Sequence, residues 1–498
     1  MTKQASKRPP RQRPQDDSLA PKGAAGAPPQ QKRPRSKQAL AKPAPLTPKG
    51  RKRRQQLLDA TARALNRFGY RDLSIANIAD EAGAPISLFY RYFTDKTEAV
   101  LAALDEIVGR HKSRMPASGS SLFDFQIASH RNLIQLFTES PGVLDCYYAL
   151  DAGETPFTKF FQDQTRSYDR MHAERAIVAL DAPKPPQPEA ILPLAHAVTA
   201  MADNFLFRYC TGRDETAALE RAARVDVSTF LAQLRVRMLT MSDVGVTASS
   251  LPRQVAAATG PRPEIQPVET PGVPHKRQPK RSDSTASFDL LKSTALRLLN
   301  LLSYDELRIR DIEEEGAVTR GGIYHYFGEK RELVATLLRE QLETMHARLM
   351  ESSARPAASR FEDLRTAIAA FLEEYRANPG VLRALYRLEQ DDIEITDMFG
   401  AFRRVWARAL ADLVGFHLGA QPSARAALIL IGYAMLAMIE RFSYDLGALP
   451  SGASPAPGHE QAELLAAIWL RALFLEQPPA EILDRHSFLR DMVRPTPL

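Results

Sequence analysis

Cysteine is almost missing from this chain: Cys146 and Cys210 are the only two in 498 residues. Two thiols cannot build a disulfide scaffold or a four-cysteine zinc site, so both are expected as reduced core thiols in the cytosol. The ten histidines are scattered, with no His-x-x-x-His spacing. There is no Gly-rich phosphate loop and no Gly-x-Ser-x-Gly elbow. An enzyme, a cofactor and a metal site are therefore not expected. Long hydrophobic runs are also lacking. The longest uncharged one is Ala426 to Ile439, 14 residues between Arg425 and Glu440, against the roughly 18–20 that a membrane span needs. It reads as a buried helix, and no membrane partner is expected. The first residues carry no apolar stretch of the secretory kind. Alternating strand patterns are missing too.

What is present is an ordinary globular composition, 44% hydrophobic and 25% charged, with a net charge of +7. That charge is unevenly placed. Residues 1–54 hold 16 Lys and Arg against 2 Asp and Glu, a net of +14, which leaves −7 for the remainder. The same stretch holds ten prolines and few large apolar residues. Such a composition buries too little surface to offset chain entropy, so a disordered tail is expected over 1–50. Its charge suits a polyanion. A second Pro-rich stretch, 243–286, ends in basic His275–Arg281 and reads as a linker.

A long-period repeat organises the rest. Residues 78–96, IADEAGAPISLFYRYFTDK, match residues 312–330, IEEEGAVTRGGIYHYFGEK, at an offset of 234. Between 57–100 and 291–334, 15 of 44 ungapped positions are identical. Beyond this, Pro141-Gly142-Val143-Leu144 matches Pro379-Gly380-Val381-Leu382, and Phe161 matches Phe399, at an offset of 238. The chain thus holds two copies of one unit.

Each unit reads as all helix. Leu57, Thr61, Leu65 and Phe68 share one helical face. Gly69 suits a left-handed turn after it. Ser74 suits a cap, and Pro85 a first helical turn. A short helix over Ile75–Ala82, a turn at Gly83 and a second short helix over Pro85–Tyr92 make a helix-turn-helix. Ile309–Gly316 and Thr319–Tyr326 repeat it.

These blocks resemble the DNA-binding domain of the tetracycline-repressor (TetR) family of bacterial regulators. The first supplies LLDA at 57–60, Gly69-Tyr70, Ile78-Ala79, Ala82-Gly83, Tyr90, Phe93 and Lys96. The second supplies Tyr304, Ile312, Thr319-Arg320-Gly321, Tyr324, Phe327 and Lys330. The resemblance implies an all-α fold of two tandem units, each a helix-turn-helix domain followed by a helical ligand and dimerisation domain. The implied domains are 51–112 and 113–242, then 287–350 and 351–498.

It also implies DNA contacts. In the second unit these are Thr319, Arg320, Gly321, Tyr324, His325, Tyr326 and Lys330, with Arg320 suited to a guanine edge. In the first unit they are Ser74, Pro85, Ile86, Ser87, Tyr90, Arg91, Tyr92 and Lys96, together with Arg51, Arg53 and Arg54 before them. Both units depart from the family pattern. Pro85-Ile86 loses the usual hydroxyl and base, although Ile86 suits a thymine methyl. Glu313-Glu314-Glu315 places three carboxylates near a phosphate path. Over residues 51–100 the net charge is +3, and over 285–334 it is −2.

By the same resemblance, the last two helices of each unit pair into a four-helix bundle: Ile191–Tyr209 with Val225–Met241, and Ala424–Tyr444 with Gln461–Leu475. An intramolecular pseudodimer and a homodimer both fit. Apolar effector pockets are expected near Phe125, His130, Tyr147 and Phe161, and near Phe371, Tyr375, Tyr386 and Trp406. The expected function is a cytoplasmic, nucleoid-associated regulator, in the repressor sense, that binds double-stranded DNA and an unknown small molecule. The competing reading is a degenerate helical scaffold or co-regulator that binds protein.

Overall fold

The computed structural model describes residues 47–116, 119–149, 156–182, 184–243, 251–252, 282–316, 320–354, 358–447 and 458–493. Of the tail expected over 1–50, residues 1–46 lie outside the described residues, as do the basic run His275–Arg281 and Thr319, while Pro48–Gly50 already belong to the first helix and the end of the expected linker, from Ser282, to the first helix of the second half. Among those described there is no strand. The first half builds α1 (Pro48–Asp72), α2 (Ile75–Glu81), α3 (Ile86–Phe89), α4 (Lys96–Ser113), α5 (Leu122–Glu139), α6 (Pro141–Ala149), α7 (Pro156–Leu180), α8 (Leu192–Thr211), α9 (Thr216–Ala223) and α10 (Val227–Thr240). The second builds α11 (Ser282–Leu301), α12 (Ile309–Gly316), α13 (Arg320–Tyr326), α14 (Lys330–Ala354), α15 (Arg360–Ala377), α16 (Pro379–Leu388), α17 (Ile393–Leu418), α18 (Arg425–Gly447), α19 (Gly458–Phe474), α20 (Ala480–Arg485) and α21 (Phe488–Asp491).

Local chemistry sets the helix ends. Ser74 caps α2 in a reciprocal box: its hydroxyl accepts from the Asn77 amide at 3.1 Å, and Asn77 Oδ1 accepts from the Ser74 amide at 2.9 Å. Asp95, Ser121 and Asp226 cap α4, α5 and α10 with a side-chain oxygen that accepts from the amide three residues on. Gly69, at φ 66°, puts a kink near the end of α1.

The repeated Pro-Gly-Val-Leu motif docks the helix-turn-helix onto the rest of its half. Asn66 Oδ1 accepts from the Gly142 amide at 3.0 Å, and Asn300 Oδ1 from the Gly380 amide at 2.8 Å. A Cβ on Gly142 would come within 2.8 Å of Leu65 backbone, and one on Gly380 within 2.0 Å of Leu299 backbone. Only glycine admits this approach of α6 to α1 and of α16 to α11.

The two halves meet through α8 against α18 and α10 against α19. These are the helices expected to form the dimerisation bundle, and here they pack within one chain. Segments Pro188–Thr211 and Pro422–Asp445 are long and apolar enough, by length and composition, to cross a bilayer. In this fold most of each is buried, and the helices within them, α8 and α18, face each other. The second contains the run Ala426 to Ile439. Met201 and Phe205 of α8 and Ile431, Ala434 and Met438 of α18 are all buried.

The seam also buries charge. Arg208 donates to both carboxylate oxygens of Glu389, at 2.7 and 3.2 Å. Asn204 donates to Glu440 at 2.9 Å and to the Ala437 carbonyl at 3.1 Å. Arg403 bridges Glu440 and, at 3.4 Å, Asp214. Burial alone would raise the Glu389 carboxyl, but Arg208 and Arg213 outweigh it and hold the group below its ordinary value. Such a network adds little net stability, yet losing one partner strands the other as a buried charge.

Candidate nucleic-acid interface

In the first half, α2 and α3 meet at Gly83, which sits at φ 58°. The second helix of the motif was expected over Pro85–Tyr92, but the regular helix covers only Ile86–Phe89. Pro85 has no side-chain cap to offer, and the chain tightens into a turn after Phe89. Phe89 and Phe93 are buried beneath it. Ile86 is 46% exposed and Tyr90 58%, and Ser87 and Arg91 are also exposed. These four form the outward tip, with Pro85 beside them. Tyr92 is half-buried against the core. Ser74 lies back from the tip, its hydroxyl held in the cap. Arg51 and Arg53 are exposed along α1, while Arg54 lies over the Phe93 ring at 5.2 Å.

In the second half, α13 opens at Arg320, with Gly321 next on the helix. Tyr324 and His325 are exposed. Tyr326 is turned inward instead, 7% exposed and edge-on to Phe288 at 5.4 Å. The acidic α12 is neutralised in part by its own neighbours. Arg310 pairs with Glu314 at 2.6 Å, and Arg297 with Glu315 at 3.5 Å. Glu313 is half-buried. The first half repeats one of these pairs, Arg63 with Glu81 at 2.7 Å. It ties the first helix of the domain to the second in both copies.

The repeated lysine has a bracing role that sequence reasoning did not reveal. Lys96 Nζ lies 4.4 Å from the Tyr70 ring centroid and donates to the Tyr70 carbonyl at 2.8 Å. Lys330 Nζ lies 4.2 Å from the Tyr304 ring and donates to the Tyr304 and Leu307 carbonyls at 2.7 and 2.8 Å. Burial lowers both ammonium groups from their ordinary value. Each lysine thus pins the start of α4 or α14 to the turn that follows the first helix. The signal was already in the sequence: tyrosine and lysine recur together at the same 26-residue spacing.

Two stretches, 57–103 and 291–337, match the family model described as bacterial regulatory proteins, tetR family. They run from within α1 to within α4, and from within α11 to within α14. Each half of the chain carries a TetR-type DNA-binding domain. The curated relatives include the HTH-type transcriptional regulator BetI of Escherichia coli O139:H28 (strain E24377A) and of Escherichia coli K12 (strain DH10B). Each is 40% identical over 58 residues, which is 12% of this chain and 30% of the relative. The chain therefore spans under a third of the length of these relatives.

Behind the first TetR-type domain lies a cavity of about 80 Å3 between the end of α4 and helices α5 to α8 and α10. Of the aromatic residues expected there, Tyr147 and Phe161 line it. Phe125 sits behind the wall, edge-on to His172 at 5.3 Å, and His130 is fully buried beside it. In the second half, Phe371, Tyr375, Tyr386 and Trp406 are all buried. Phe371 meets Trp406 edge-on at 5.6 Å, and Tyr386 meets Phe399 at 6.1 Å. The polar lining of the first cavity was not foreseen: Arg235, Asp203 and Thr199 face it. An arginine inside a helix ordinarily reads as a solvated charge, so nothing in the local pattern marks Arg235.

Proposed function

We propose that this protein is a DNA-binding transcriptional regulator acting in the cytoplasm. One chain presents two non-identical reading heads to two half-sites, and an effector in the first half modulates binding in the repressor sense. The observation that carries the single-chain reading is Arg71 against Asp305. These residues occupy the same position of the repeat, 234 apart, and meet at 2.5 Å. In a symmetric dimer a residue on the two-fold axis faces its own copy. Arginine facing arginine, or aspartate facing aspartate, would repel. Here duplication has placed opposite charges on the pseudo-two-fold, and Arg208 with Glu389 and Asn204 with Glu440 make the buried seam complementary as well.

At the DNA, Arg320, Gly321, Tyr324 and His325 form the polar head. Ile86, Ser87, Tyr90 and Arg91 form the more apolar one, with Ile86 placed for a thymine methyl. Tyr92, Tyr326, Lys96 and Lys330 support these heads from behind. Arg51, Arg53 and the basic tail add phosphate contacts that depend on salt.

Fluorescence anisotropy with duplex DNA from upstream of the chain's own gene tests this reading. Salt-dependent, sequence-selective binding is expected, and deletion of 1–50 is expected to flatten the dependence of log K on log salt. The acidic α12 favours the second reading, a protein-binding scaffold. Absence of DNA binding at every salt concentration would select it and reject the first.

A further inference from the structure

The cavity in the first half carries a buried arginine that makes no direct ion pair, although Asp203 and Asp169, the latter bonded to His196, act on it electrostatically. Arg235, on α10, is 2% exposed. Its Nη1 lies 3.1 Å from His130 Nε2, and His130 Nδ1 lies 3.0 Å from the Ser228 carbonyl. The consistent arrangement has Nδ1–H donating to that carbonyl and Nε2 accepting from Arg235. The remaining Arg235 atoms, Nε and Nη2, have no hydrogen-bond partner within the protein, and neither does Thr199 Oγ1 nor His172 Nδ1. Asp203, half-buried, lines the same cavity. Burial pushes its carboxyl up to about 7, so it is an incomplete counter-charge. Buried donors left unused are costly and call for an acceptor.

The second half serves as an internal control. At the offset of 238, Tyr168 and His172 of this wall correspond to Trp406 and Leu410, and Asn132 to Ala370. At the offset of 234, Arg235 and Asp203 correspond to Trp469 and Ala437, within a stretch where Leu231, Ala232, Arg237 and Leu239 recur as Leu465, Ala466, Arg471 and Leu473. Trp406, Trp469 and Ala437 are fully buried. The same helices therefore bury large aromatic or small apolar side chains at these positions, so the fold does not require the polar groups.

We propose that the cavity binds a small aliphatic carboxylic acid, with its carboxylate on the Arg235 guanidinium. A carboxylate accepts from two guanidinium N–H groups at once, which matches the two that are unused. The apolar end lies against Leu133, Leu136, Phe137 and Val143, which line the same space. About 80 Å3 is less than the roughly 150 Å3 that holds benzene, which keeps the ligand small. This inference deepens the effector reading, but it is tested without DNA, so its failure leaves DNA binding untouched.

Isothermal titration of the full chain with propanoate and butanoate, against propanamide, butanamide and butylamine, is the test. Both acids are expected to bind, the amides about tenfold or more weakly, and the amine not at all. Arg235→Met is expected to lose acid binding while melting no lower than the parent. Thr199→Tyr, which copies Tyr433 of the other half, is expected to exclude the acids by filling the cavity. The proposal is overturned if neither acid binds at millimolar concentration, if the amides or the amine bind as well as the acids, or if either variant keeps the parent's affinity for them.

Discussion

The two halves share one set of helices and differ in what those helices enclose. In the first, α5, α7, α8 and α10 surround Arg235, His172, Asp203 and a cavity. In the second, the corresponding α15, α17, α18 and α19 surround Phe371, Trp406 and Trp469. The helix-turn-helix tips differ in the other direction. The half with the polar cavity has an apolar tip, Pro85-Ile86, and the half with the buried tryptophans keeps Arg320. A symmetric dimer forces every position to serve both roles and to complement itself. Fusion removes that constraint, and Arg71 opposite Asp305 shows the result at a single position.

The sharpest way to break this comparison is to exchange what fills the two cores. Trp469→Ala should cost about 3–5 kcal/mol by leaving a large apolar void, measured by urea unfolding. Removing Arg235 at the matching position should cost nothing, so equal losses at the two sites would refute the contrast between them. Arg208→Ala should cost about 3–5 kcal/mol, because Glu389 and part of Glu440 are left as buried, unpaired charge.

The same network predicts a pH dependence. The Glu389 carboxyl titrates below its unfolded value of 4.5. Its contribution is therefore complete above that value and is lost as pH falls through the lower folded one. Glu389→Gln should flatten acid unfolding in that window, and an unchanged acid limb would remove Glu389 from the account. At the DNA, Arg320→Ala should lose about 1–3 kcal/mol of discrimination at one base pair, whereas Ile86→Ala should lose less, in binding titrations against half-site variants. Smallest of all, Arg71→Ala should shift stability by about 1 kcal/mol or less, since the pair with Asp305 is partly exposed.

How much of this was legible differs by region. The helix-turn-helix domains could be read because periodic apolar residues, Gly69, Ser74 and the recurring Tyr and Lys all specify local structure. The Pro-Gly-Val-Leu repeat was visible as a motif, but its role became clear only when Gly142 and Gly380 came against Leu65 and Leu299. The bundle helices were readable because their stripes, such as Ile431, Ala434 and Met438, have helical spacing. The inward turn of Tyr326 was not readable, because side-chain direction depends on neighbours distant in sequence, and the bracing by Lys96 and Lys330 showed only as a recurring Tyr and Lys spacing whose meaning the structure supplied. Arg235 was hidden because what makes it unusual is the absence of a direct ion pair, and only packing reveals that.

The central claim is that one chain supplies both reading heads. Native mass measurement of the protein bound to its operator tests it most directly. The account predicts one chain of 55.4 kDa per DNA duplex. Two chains per duplex, with a free-protein mass of twice that value, would contradict it.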